Sequence, residues 1–113
     1  MNGLLYIVVG NHDTDNRINA YRQLINVFDI QYGYRMNYKH LSLWFSHYPM
    51  IMKNFEDPKP TWNISGHTHA QQPFVNGQYN ICCIGLDAWN NKPVLLDDAI
   101  SSIKQYTRET YNL

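Results

Sequence analysis

The chain has 113 residues, enough for one domain and a modest core, with nine Lys plus Arg balanced by nine Asp plus Glu and a formal net charge of zero. That balance excludes a broad electrostatic grip on nucleic acid or on an anionic membrane. No charged-then-apolar leader is present, the apolar runs are too short to span a bilayer, and cysteine is confined to the adjacent Cys82 and Cys83. A soluble, cytoplasmic protein in a reducing compartment is therefore expected, with no membrane partner.

Leu4 to Val9, LLYIVV, is a continuous apolar run. Its Ile and Val content and its shortness predict a buried strand of a parallel or mixed sheet, ended by Gly10. Asp13 and Thr14 are N-cap candidates for a helix from about Asp15 to Phe28, with Ile18, Tyr21, Leu24, Ile25 and Phe28 along one apolar face. Ile30 to Arg35 and His40 to Ser46 read as two strands around a polar turn at Asn37. Met50 to Pro60 reads as a short helix followed by a Pro-rich loop. TWNIS, Thr61 to Ser65, is a further strand stopped by Gly66. In PFVNGQYNICCIGLD the Asn76-Gly77 pair carries the signature of a tight hairpin. Cys82 and Cys83 would be strand neighbours facing opposite ways, badly placed to bridge each other. A final helix starts near Asp97. The pattern is α/β, a single domain over residues 1–113, with strands ending in polar loops.

Four histidines, His12, His47, His67 and His69, lie just past apolar runs, whereas His40 reads as a surface or strand-edge residue. In open α/β folds ligands bind beyond the carboxyl ends of strands, so side chains scattered in sequence can converge there. In GHTH, His67 and His69 are two apart and share a face in an extended segment, which suits a metal pair. In GNHD, Asn11 offers a neutral oxygen, His12 an imidazole and Asp13 a carboxylate able to orient it. Taken singly, GNHD is a helix cap, the His47 of SHYP is a half-buried histidine, and HxH is a pair of unrelated loop residues. Together, in this order, they are hard to explain as caps and core. The metallo-β-lactamase pattern wants Asp-His soon after the second His, where this chain has Ala70, Gln71 and Gln72. Amidohydrolase barrels carry HxH near the start of a far longer chain. Trp44, Tyr48, Trp62 and Trp89 are candidates for stacking on a base, with core packing the plainer role.

The ordered set GNHD, SHYP and GHTH resembles the calcineurin-like metallophosphoesterase superfamily, in particular its small bacterial and phage members. The tail YNICCIGLDAWNNKPVLLDDAI is also similar, with a late strand reaching an Asp, then Lys-Pro-Val and a closing helix. The resemblance covers nearly the whole chain. It implies an α/β/β/α sandwich with mixed sheets and a metal-dependent phosphoester hydrolase, acting on phosphomonoesters, phosphodiesters or nucleotides. It implies two divalent transition metals (Mn, Fe, Zn or Ni) sharing a bridging hydroxide. Asn11, His47 and His67 would bind one metal and His69 the other. His12 would protonate the leaving oxygen or stabilise phosphoryl charge, and Asp13 would orient His12.

One departure is large. The family begins with a DxH motif on a first strand and a GDxxD motif on a second, which supply most of one metal site and the bridging carboxylate. Neither occurs here. The chain thus looks like the C-terminal part of such a domain, with the first strands absent. Either the missing ligands would come from a separately encoded N-terminal fragment or another subunit, or the reading frame is truncated or mis-started. The alternative is a non-catalytic remnant, or a module that binds phosphate or protein and holds at most one metal.

Overall fold

The computed structural model describes residues 4–24, 26–52, 61–74 and 80–111. LLYIVV forms β1 (Leu5–Val8), which pairs in parallel with β2 (Val27–Gln31), and the chain between them carries the helix α1 (Asp15–Arg22). Thr14 caps α1, accepting the Arg17 N–H at 3.3 Å. The helix is shorter than the periodicity predicts. None of its residues is buried, so its apolar face has little to pack on, and β1 instead captures Val27 and Ile30 in a ladder from Leu5↔Val27 to Val8↔Gln31. Phe28 lies on that strand, 63% exposed. Tertiary pairing here overrides a weak helical preference. Ile25 lies outside the described residues.

The strand expected over Ile30 to Arg35 is split. β2 stops at Gln31 and β3 (Gly33–Tyr38) starts a second sheet, in the order β3-β4-β5-β6. Gly33 permits the change of sheet, because a Cβ there would stand 2.4 Å from the Trp44 ring. β3 and β4 (Leu41–Ser46) form an antiparallel hairpin whose register pairs Tyr38 with Leu41. The turn is therefore Lys39-His40, not Asn37, which pairs with Ser42. Both turn residues have positive φ, 48° and 69°, as a two-residue loop matched to the strand twist requires. Lys39 and the Tyr38 hydroxyl then clasp Asp97 at 2.8 and 2.6 Å, fastening the start of the closing helix α2 (Leu96–Tyr111).

β4, β5 (Thr61–Ser65) and β6 (Ile81–Cys83) run parallel, so their carboxyl ends share one edge. Every residue of β5 is buried. Trp62 and Ile64 join Leu43, Cys82, Ile100 and Ile103 in the core, and Phe74 stacks on Tyr106 at 4.2 Å. Each fully buried aliphatic side chain in that cluster contributes roughly 1.5–3 kcal/mol. Cys82 and Cys83 are free and buried, and burial pushes the Cys82 thiol up to about 12. Of the short helix and Pro-rich loop expected over Met50 to Pro60, residues 50–52 are not helical and 53–60 lie outside the described residues, as does the Asn76-Gly77 hairpin turn. Among the described residues two sheets and two α-helices make a mixed α/β fold. Among the described residues no helix is long and apolar enough to cross a membrane.

The other face of β5 is polar. Asn63, fully buried, accepts the Met50 N–H at 3.1 Å and donates to the Trp44 carbonyl at 3.1 Å and to Ser46 Oγ at 2.9 Å. One amide thus stitches the central strand to the loop leaving β4. Asn63→Ala leaves those partners unpaired and is expected to cost about 1–3 kcal/mol in denaturant unfolding. A loss no larger than that of Thr61→Ala would show that the network is not needed.

Candidate metal centre

The parallel edge and β1 bring three loops together. His47 follows β4, and its carbonyl accepts the Gly66 N–H at 3.1 Å, tying the exit of β4 to the exit of β5. Gly10, past β1, lies directly against the His47 ring, where a Cβ would come within 2.9 Å of Nδ1. Only glycine allows that approach, and it carries Asn11 Oδ1 to 2.7 Å from His47 Nε2. His67 Nδ1 stands 3.1 Å from the same Nε2. His67 has φ 68°, a left-handed conformation that non-glycine residues adopt at a cost and that clusters at functional sites. The Tyr48 ring packs 4.5 Å from the His67 ring and 5.1 Å from that of His47.

The donor set suits a divalent transition metal. Metal–nitrogen bonds of about 2.1 Å at right angles separate neighbouring donors by roughly 3.0 Å, and the observed 2.7 and 3.1 Å bracket that edge. Burial holds His47 below its ordinary pKa, and the neighbouring His67 adds to the effect. His47 therefore stays neutral, the form that ligates. Among the described residues no group of three or more His, Cys, Asp or Glu side chains is placed to hold an ion. A metal here would rest on two imidazoles and an amide oxygen.

Of the six residues singled out in the sequence, Asn11, His47 and His67 meet. His69 does not join them by hydrogen bond or ring contact. It has φ 52°, and its Nδ1 lies 3.0 Å from Asp87 Oδ2. His12 is exposed, and its carbonyl accepts Arg17 Nη1 at 2.9 Å. The hydrogen-bond partners of the Asp13 carboxylate are Gly10 and Tyr21, not the His12 ring expected for it. The carboxylate accepts the Gly10 N–H and the Tyr21 hydroxyl, both at 2.8 Å, and so fastens the GNHD loop to α1.

Helical periodicity places Tyr21 only on an apolar helix face, although a Tyr eight residues after an Asp across a helix start is a usable signal of the bond it makes to Asp13. In the sequence Asp87 is only the acid ending a late strand, and its pairing with His69 is set in space. Of the stacking candidates, Trp62 is core, 3% exposed, and the Trp89 indole donates to the Cys83 carbonyl at 2.7 Å. Trp44 lies against Gly33, its indole N–H on Met50 Sδ at 3.2 Å. Tyr48, 51% exposed, is the aromatic beside the triad.

The bond from Gly10, then that from Tyr21, holds the Asp13 carboxyl below its ordinary value of 3.8. A depressed carboxylate pKa stabilises the fold above that value, and the stabilisation is lost as pH falls through the lower, folded-state value. The melting temperatures of the natural protein and Asp13→Asn should differ by a constant amount at neutral pH and converge under acid conditions. A gap that persists into the most acidic range where both still fold would contradict the assignment.

No family model matches the chain, and no curated protein or solved structure matches it at significance.

Proposed function

We propose that this chain is the C-terminal part of a metal-dependent phosphoester hydrolase of the calcineurin-like type, in which Asn11, His47 and His67 hold a divalent transition metal. One observation carries the proposal: His47 Nε2 stands 2.7 Å from Asn11 Oδ1 and 3.1 Å from His67 Nδ1, three donors from three separate strand ends. The α/β/β/α sandwich is part of the same proposal, supported by two sheets with parallel and antiparallel pairs.

A bound divalent metal would supply Lewis-acid polarisation of a phosphoryl oxygen and a more acidic water. The chain's own residues do the rest. Gly10 lets the Asn11 loop close on the neutral His47 ring. Asp13 and Tyr21 hold that loop still. His12, exposed beside it, is free to deliver a proton to a leaving oxygen. Tyr48 offers a ring face to a substrate base, which makes nucleotides a candidate substrate class.

A second reading, a non-catalytic module holding a single ion, is favoured by the absence of a carboxylate from the triad among the described residues. The two readings separate by experiment. Calorimetry with Mn²⁺ or Zn²⁺ should give at most one site of modest affinity, abolished by His67→Ala. If His67→Ala and His47→Ala both leave binding unchanged, the metal assignment is wrong.

Hydrolysis of a nitrophenyl phosphodiester by the chain alone should be very slow. Adding a polypeptide that carries DxH and GDxxD strands should restore turnover. In that complex His12→Ala should lower kcat by about 10²- to 10⁴-fold with little change in metal affinity, the range typical of a lost general acid. Asp13→Asn should lower it less, because it acts through the loop. A complex that binds metal and turns over, yet loses nothing on His12→Ala, would remove His12 from the chemistry.

A further inference from the structure

A cleft of about 300 Å³ lies where the exits of β1, β2 and β4 meet, lined among others by Val9, Asn11, Tyr32, His47, Tyr48 and Met50. Asn11 and His47 belong to the triad as well, so a group held there opens straight into the cleft. Tyr32, Tyr48 and Met50 are 77%, 51% and 44% exposed. Three large side chains left in water around one small cleft forgo burial that folding favours. Their placement is nevertheless fixed. The Val9 N–H donates to the Gln31 carbonyl at 2.8 Å, which sets the chain just before Tyr32. The Trp44 ring lies against Gly33, just after Tyr32, and its indole N–H donates to Met50 Sδ at 3.2 Å. One indole therefore braces both sides of the cleft. The Met50 N–H donates to the buried Asn63 at 3.1 Å, and Ser46 Oγ donates to the Tyr48 carbonyl at 2.7 Å. Methionine is the most adaptable apolar side chain, yet here it is held at backbone and sulfur. Among the described residues the Tyr32 ring packs on no other ring and its hydroxyl makes no hydrogen bond, so the fold gains little from it.

We infer that this cleft is a stacking subsite for the nucleobase of a nucleotide whose phosphate meets the metal triad, with Tyr32 and Tyr48 supplying the ring contacts and Met50 an apolar one. Ligand pockets run from about 300 to 1,000 Å³, so this one takes a single ring system and not a long chain. A flat ring suits aromatic and thioether neighbours. Every base has a π-face, so the subsite selects for a ring and not for one base. The inference rests on the proposed hydrolase function and adds to it Tyr32 and Met50, which the metal triad does not use.

The test uses the whole chain labelled with ¹³C at the methyls of its four methionines. Met36 on β3, which does not line the cleft, is the control. Metal-free titrations with adenosine and with uridine should shift the Met50 methyl saturably and leave Met36 in place, and ribose should shift neither. Tyr32→Leu should weaken nucleoside affinity by roughly 5- to 150-fold, the range for one stacked base. Tyr32→Phe should keep it. Circular dichroism should show the same fold in both variants, because the Tyr32 side chain is exposed. A Met50 methyl unmoved by millimolar nucleoside, an equal response to ribose, or a Tyr32→Leu titration like that of the natural protein overturns the inference. A Met50 shift that follows protein concentration and not nucleoside marks the cleft as a contact between copies, and also overturns it. Nucleosides carry no phosphate and the titrations no metal, so Mn²⁺ calorimetry on the same samples separates the two claims. Metal binding without a nucleoside response leaves the proposed function standing and the inference fallen. A Tyr32-dependent nucleoside response without metal binding leaves the ring subsite standing and the triad assignment fallen. If neither is seen, both fall.

Discussion

The close approach of Gly10 to the His47 ring is the contact on which the candidate site depends. β1 and β2 form one small sheet and β3 to β6 another, and the site exists only where the loop from the first meets the strand exits of the second. A Cβ at Gly10 would lie 2.9 Å from His47 Nδ1. Any other residue would push the loop away and break the 2.7 Å approach of Asn11 to His47. The glycine thus acts through what it lacks, since backbone must sit against an imidazole face.

Behind that contact stands the polarity of β5. A central parallel strand is usually apolar on both faces, yet Thr61, Asn63 and Ser65 put polar groups on one side while Trp62 and Ile64 fill the core on the other. Asn63 repays its burial with three hydrogen bonds to the chain around His47. One face of the strand therefore holds the core together, and its other face sets the loop that carries His47. Neutrality at His47 follows from the same enclosure, because desolvation and a neighbouring imidazole both oppose a charge there.

Left-handed backbone marks the other side of the site. His67 and His69 both have positive φ, so the HTH segment is no extended strand with its histidines on a common face. Each turns its ring to a different partner, His67 to His47 and His69 to Asp87. The strain is offset locally by the bond from Gly66 N–H to the His47 carbonyl and by the Thr68 to Gly66 backbone bond.

Sequence alone determined the apolar runs and where they end. LSLWFS and TWNIS are strands because short β-branched and aromatic runs fit a pleated buried surface. LLYIVV forms a strand but not the expected buried one. None of Leu5–Val8 is buried and Tyr6 is 57% exposed, because its two-stranded sheet covers little of it. The closing helix begins at Leu96, beside the predicted Asp97, because Ala99, Ile100 and Ile103 recur at helical spacing and bury together. The approach of His47 to His67 is legible because polar groups at the ends of parallel strands gather at one edge, whereas Asn11 reaches them from the other sheet. Tertiary structure decided the rest. α1 ends at Arg22 because β1 offers Val27 a ladder, a long-range choice that helical periodicity cannot see. The hairpin turn sits at Lys39-His40 because register, set by which side chains face the core, places it there. Asp13 turns to Gly10 and Tyr21, and His69 to Asp87, because hydrogen-bond partners are chosen in space and not along the chain.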